Sequence, residues 1–191
     1  MTPFGLCVYC GSKPGSRPAY AGLADRLGNS IGRRGWRLVY GGGRAGLMGV
    51  VADAALAAGA EVVGVIPESL MRLEVGHAGL TELLVVRTMH ERKTMMAERA
   101  DAFVALPGGI GTLEELFEVW SWRHLGYHGR PIGLLDAEGY WQPMLDFLER
   151  TRAEGFVSAD QLAMLRVGDD VETLLDALVA AAPKPADFGR I

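Results

Sequence analysis

The chain is short of cysteine, of lysine and of long apolar runs, and each shortage removes a class of protein. Two cysteines in 191 residues cannot build a disulfide framework. The spacing Cys7-Val8-Tyr9-Cys10 imitates a redox pair, but such pairs sit at helix starts, where the thiolate is stabilised. Here the two thiols fall in, and at the end of, an apolar strand-like run. Extended residues three apart lie on the order of 10 Å from one another, beyond disulfide reach. No apolar run approaches the length of a bilayer span, and Met1-Thr2-Pro3-Phe4 lacks the basic and apolar regions of a secretory leader. The expectation is a cytoplasmic protein without membrane contacts. Positive charge is not in excess: 19 Lys+Arg stand against 23 Asp+Glu, a net charge of −4. That balance disfavours nucleic-acid binding, which draws on clustered cations. The lysines are Lys13, Lys93 and Lys184, so few amines are on offer for a Schiff base to a pyridoxal cofactor.

What is present is a core. With 49% hydrophobic residues and this length, the chain can bury one substantial interior. Short apolar runs alternate with helix-length amphipathic segments. Strands are predicted at 4–9, 36–40, 61–66, 83–87, 102–106 and 131–135, with a last one at 162–167. Helices are predicted at 18–33, 47–58, 89–100, 113–125, 140–152 and 171–181, while 68–77 reads as irregular or briefly helical. The strands are near-continuous apolar runs, the mark of a parallel sheet covered on both faces. The strand–helix alternation predicts a single Rossmann-like, doubly wound α/β domain over 1–182, with a mostly parallel sheet of about seven strands and a flexible tail at 183–191. Ligands in such folds bind beyond the carboxyl ends of the strands, which directs attention to the turns after Tyr9, Tyr40 and Leu106.

Two of those turns are glycine-rich. Gly41-Gly42-Gly43-Arg44-Ala45-Gly46 satisfies G-x-G-x-x-G between a strand and a helix. It follows the second strand rather than the first, and no acidic residue stands at a strand end to hold a ribose hydroxyl. A phosphorylated ligand on its backbone is therefore favoured over a dinucleotide, with Gly42 and Gly43, together with Ser12 of the first turn, as a phosphate-side loop. The other turn, Pro107-Gly108-Gly109-Ile110-Gly111-Thr112, removes Cβ atoms where backbone N–H groups can meet an anion, at the positive end of a helix dipole. No Lys-Ser/Thr pair follows, which sets it apart from a Walker loop. Glu114 and Glu115 come next; Thr112-x-x-Glu115 also reads as a capping box, and spacing alone does not choose between the two acids as a catalytic carboxylate. In Thr88-Met89-His90-Glu91-Arg92-Lys93, Glu91 reads as the capping partner of Thr88. Arg92 shares the expected buried stripe of Met89 and Met96, where a cation calls for a carboxylate or phosphate. Lys93 reads as solvated and His90 as a surface residue. His124 and His128 lack companions for a metal site, so none is expected.

Together these segments resemble the LONELY GUY (LOG) family of cytokinin riboside 5′-monophosphate phosphoribohydrolases, also labelled "possible lysine decarboxylase". The resemblance runs through Cys10-Gly11-Ser12, Gly41 to Gly49, Ile66-Pro67, Met89 to Lys93 and Pro107 to Glu115. It implies hydrolysis of the N-glycosidic bond of a nucleoside 5′-monophosphate, releasing an adenine-type base and ribose 5-phosphate. The catalytic pair it implies is Arg92 and Glu115. The substrate-binding set is Glu74, Arg92, Lys93, Gly109, Ile110, Gly111, Thr112, Leu113, Glu114, Glu115 and Ser121. It further implies a homodimer and no metal or organic cofactor. On this reading Glu115 stabilises an oxocarbenium-like state or activates water, and Arg92 orients it. A non-catalytic nucleotide or cofactor carrier on the same fold is the alternative. It would keep the glycine turns without needing Arg92 and Glu115 together.

Overall fold

Strands that are apolar on both sides must be covered on both sides, and the computed structural model, which describes residues 2–71 and 76–183, has that arrangement. Its strands are β1 (Gly5–Tyr9), β2 (Arg37–Tyr40), β3 (Glu61–Pro67), β4 (Glu82–Val86), β5 (Ala102–Ala105), β6 (Ile132–Leu135) and β7 (Leu165–Gly168). The helices are α1 (Pro18–Arg33), α2 (Gly46–Ala57), α3 (Met89–Glu98), α4 (Ile110–His124), α5 (Gln142–Ala153), α6 (Ala159–Leu162) and α7 (Val171–Ala181). The strands form one sheet in the order β4-β3-β2-β1-β5-β6-β7, and every neighbouring pair is parallel. The doubly wound α/β expectation is met. No helix of the described residues is long and apolar enough to cross a membrane.

Two apolar layers flank the sheet. Leu23, Leu27 and Ile31 of α1, Leu47 and Val51 of α2 and Leu174 and Leu178 of α7 pack on one face with Leu6 and Val8. Met96 of α3, Leu116 and Val119 of α4 and Leu148 of α5 pack on the other with Cys7, Tyr9 and Phe103. Because side chains alternate along a strand, Cys7 and Cys10 enter opposite layers. Both are buried and neither is in a disulfide, so the redox reading fails on geometry. Helices α1 and α2 approach unusually closely. A Cβ on Gly28 would stand 2.5 Å from the Val51 carbonyl oxygen, and one on Gly32 would stand 2.3 Å from the Ala58 Cβ. The alanine-rich face of α2 thus lies against α1 backbone.

Three local expectations meet different outcomes. The Thr88 capping box forms: the Glu91 N–H donates to Thr88 Oγ1 at 3.1 Å, and the Thr88 N–H to Glu91 Oε2 at 3.3 Å. The Thr112 box does not, because α4 begins at Ile110 with Gly109 as its N-cap. That puts Thr112 inside the first turn, so its side chain is spent on packing rather than on a helix end. Finally, the strand read at 162–167 is shorter. Ser158 and Gln161 form a capping box that starts the short helix α6, and β7 begins only at Leu165. Glu74 and the tail from 184 lie outside the described residues.

Candidate active site

Chain order reverses between β1 and β5: β1 to β4 run outward one way, and β5 to β7 the other. Loops leaving neighbouring strands at such a reversal diverge to opposite faces and leave a crevice between them. A cleft of about 530 Å³ occupies that place, lined by Cys10 to Gly15 after β1 and Pro107 to Thr112 after β5. Leu47, Met48, Arg92, Glu115, Tyr20 and Tyr140 complete its wall. Two of the three turns singled out by sequence therefore face the cleft.

The turn after β5 is pinned from behind and open in front. The Gly11 N–H donates to the Pro107 carbonyl at 3.1 Å, and the Leu113 N–H to the Gly109 carbonyl at 3.1 Å. A Cβ on Gly108 would stand 2.1 Å from Thr112 Oγ1, so this glycine permits the tight return of the chain onto buried Thr112. Gly109 and Gly111 are different. A Cβ on either meets nothing within 4 Å. Neither has a positive φ. Packing and backbone conformation give no reason for glycine there, and the space left is cleft. The first N–H groups of α4 have no partners within the helix, so this open turn presents donors and a positive dipole end to an anion.

Arg92 reaches the cleft from α3. The helix begins at Met89, and it is Arg92, only 5% exposed, rather than Met89, 40% exposed, that occupies the inward position beside Met96. Its Nε donates to the Val65 carbonyl at 3.1 Å and its Nη2 to the Gly41 carbonyl at 3.3 Å. A Cβ on Gly41 would stand 2.1 Å from that Nη2. The glycine-rich turn after β2 thus makes room for the guanidinium. Gly42 and Gly43 are buried and do not line the cleft; Gly42, at φ +76°, packs on Ile66 and Leu83, and Gly43 pairs with Gly76. Ser12, by contrast, does line it.

Glu115 belongs to the inward stripe of α4 with Thr112, Leu116 and Val119. It is nearly buried, and its Oε1 lies 3.9 Å from Arg92 Nη2. A carboxylate on an apolar stripe is costly unless paired. The same stripe separates the two acids, since Glu114 turns outward to Lys93. Lys93 is not solvated, as the sequence reading has it: its Nζ bonds Glu114 at 2.6 Å and Glu118 at 2.8 Å. Burial alone would lower its pKa, but the two carboxylates outweigh that and raise it. Lys93, Leu113, Glu114 and Ser121 do not line the cleft. Glu114 and Ser121 fall on the outer stripe of α4, at helical spacing from exposed Ile110 and Phe117.

Sequence reasoning gave no binding role to Cys10, Lys13, Tyr20, Met48 or Tyr140, although Cys10 and Met48 fall within the segments of the resemblance; all five line the cleft. Tyr140 could have been found had the neighbour of β5 been known to be β6, because the loop after β6 then lies beside the glycine turn.

The family model described as "Possible lysine decarboxylase" matches residues 48–178. A cytokinin riboside 5′-monophosphate phosphoribohydrolase of Rhodococcoides fascians is 49% identical over 178 residues, covering 93% of this chain and 90% of its own length. The rice enzyme of that name, LOG, is 50% identical over 155 residues, covering 81% of this chain and 64% of its own. Among solved structures, the molybdenum cofactor carrier protein of Chlamydomonas reinhardtii superimposes with a TM-score of 0.70 at 21% identity, over 95% of this chain and 98% of its own. That likeness is one of fold. On the family match and the identity to these relatives, the chain belongs to the LOG family of "possible lysine decarboxylase" proteins.

Proposed function

We propose that the protein is a hydrolase that cleaves the N-glycosidic bond of AMP, of cytokinin riboside 5′-monophosphates, or of both, releasing free base and ribose 5-phosphate. The observation that carries the reading is the juxtaposition of the buried Arg92–Glu115 pair with the open Gly109–Thr112 turn in one cleft. The 5′-phosphate rests on the start of α4, against the N–H groups left open by Gly109 and Gly111. Anchored there, the ribose presents C1′ to Glu115, and this remote binding serves to orient the reacting carbon. As the C1′–N bond breaks, its electron pair leaves with the base, which takes up a proton from solvent. The sugar acquires positive charge that the Glu115 carboxylate stabilises. Water then bonds C1′ and yields a proton to the carboxylate. Arg92, fixed by the Val65 and Gly41 carbonyls, holds Glu115 in place.

The decarboxylase label sits badly with the lysines. A Schiff-base lysine must be available as the neutral amine, whereas Lys93 is clamped by Glu114 and Glu118 outside the cleft, and the lysine that does line it, Lys13, is exposed in the loop after β1. A carrier would gain nothing from burying Arg92 beside Glu115. We further propose that the protein works as a homodimer in the cytoplasm. Glu114 and Ser121, expected to bind substrate, lie away from the cleft on a stripe with Ile110, which is 86% exposed. A second copy packed on that stripe would cover the apolar residues and bring these polar ones to a shared site.

The test is chromatography of free base released from AMP and from isopentenyladenosine monophosphate, by the native protein and by Glu115→Gln. Base release from either nucleotide, abolished in the variant while nucleotide binding persists, is the expected outcome. Turnover that survives the substitution refutes the role of Glu115.

A further inference from the structure

The turn that cradles the phosphate contains two adjacent glycines, and a peptide unit between residues without Cβ atoms meets little steric resistance to rotation. The Pro107 and Gly109 carbonyls are held by backbone donors. The carbonyl between them is held by a side chain: the Tyr140 hydroxyl donates to the Gly108 oxygen. In a planar trans peptide the C=O of one residue and the N–H of the next point in opposite directions. Fixing the Gly108 carbonyl therefore fixes the Gly109 N–H, the first donor at the start of α4.

Tyr140 is itself firmly placed. Its ring meets Trp141 edge-on at 5.0 Å and Tyr20 edge-on at 5.7 Å. Trp141 is buried, with its indole N–H donating to the Leu135 carbonyl at 3.2 Å. The preceding turn holds two residues in the left-handed region, Glu138 at φ +54° and Gly139 at φ +73°. A glutamate is seldom found there, and such strain persists where the surroundings impose it. Here Glu138 is tied to Arg17 at 2.8 Å. The loop after β6 thus maintains an unfavourable conformation, and what it delivers to the cleft is Tyr140.

We infer that Tyr140 is a positioning residue for the phosphate cradle: its hydroxyl locks the Gly108–Gly109 peptide in the orientation that receives the anion. The inference rests on the function proposed above for the substrate, but not for the anion. Removing only the hydroxyl, by Tyr140→Phe, keeps the ring contacts and frees the peptide. The inhibition constant of inorganic phosphate and the KM for AMP should rise together by about three- to tenfold, the factor carried by one net hydrogen bond. The kcat should change far less. Unchanged phosphate affinity, or a fall in kcat with phosphate affinity intact, overturns the inference. Phosphate affinity is also read by calorimetry without turnover. If the native protein cleaves neither nucleotide yet binds phosphate more tightly than Tyr140→Phe, the proposed reaction fails and the role of Tyr140 stands. Should Tyr140→Phe not fold, 3,5-difluorotyrosine installed at position 140 keeps the shape and loses its proton near neutral pH. Its phosphate affinity relative to the native protein must then decline as pH rises, and a ratio independent of pH overturns the inference.

Discussion

Replacing Gly111 with alanine separates what the turn after β5 does for folding from what it does for binding. Gly111 is the second residue of α4, with no positive φ, and a Cβ there meets nothing within 4 Å. On structural grounds alanine should be the better residue. It narrows the unfolded ensemble and suits a helix, which together are worth about 0.5–1 kcal/mol. For a chain of this size that corresponds to a rise in Tm of about 1–4 °C. The same methyl group projects into the space assigned to the 5′-phosphate. Displacing an anchored substrate by a distance of that order costs on the order of a hundredfold in rate. The variant should therefore melt slightly higher and turn over AMP, or its isopentenyl derivative, far more slowly, with weaker inhibition by phosphate. Thermal denaturation and base release measured on one preparation decide the matter. A stabilised variant with native kinetics would show that the open space beside Gly111 is not ligand space, and the placement of the phosphate would fall with it.

Other outcomes follow from the geometry. Gly41→Ala thrusts a methyl at the Arg92 guanidinium; loosening a buried charge from its partners costs about 3–5 kcal/mol, so a large fall in Tm should accompany loss of base release, and native stability would contradict the packing. Gly32→Ala forces α1 away from Ala58 and should destabilise by about 1–3 kcal/mol, measured as a lower urea midpoint with catalysis retained in the folded fraction. His128 is neutral in the fold. Its Nε2–H donates to the Val119 carbonyl and its Nδ1 accepts from the Arg130 N–H. Burial, chiefly, pushes its pKa down from 6.5 to about 4. The unfolded chain then binds the extra proton between those values, so stability should be full above pH 6.5 and fall as pH drops from there to 4. His128→Gln should flatten that part of the Tm profile, and an identical profile would show that another group carries it.

The sheet was readable because parallel strands buried on both faces leave unbroken apolar runs such as Leu6-Cys7-Val8-Tyr9 and Ala102-Phe103-Val104-Ala105. The order of its strands was not readable, since register and neighbours depend on long-range packing; with that order went the place of Tyr140. Arg92 announced itself as a cation on an apolar stripe. Glu115 would have done the same had α4 been started at Ile110, for the stripe Thr112, Glu115, Leu116, Val119 then selects it over Glu114. The capping-box pattern at Thr112 hid that choice, because local hydrogen-bond motifs and inward stripes compete for the same residue types at a helix start. Lys93 misled for a different reason: its carboxylate partners lie on another helix.

The turn after β2 has the glycine spacing of a dinucleotide fingerprint, yet its hollow is already filled by the molecule's own guanidinium. A pyrophosphate laid across that hollow would have to evict Arg92, and with it the support of Glu115. Cofactor binding in the Rossmann manner and the Arg92–Glu115 pair proposed to carry hydrolysis are thus mutually exclusive uses of one small volume.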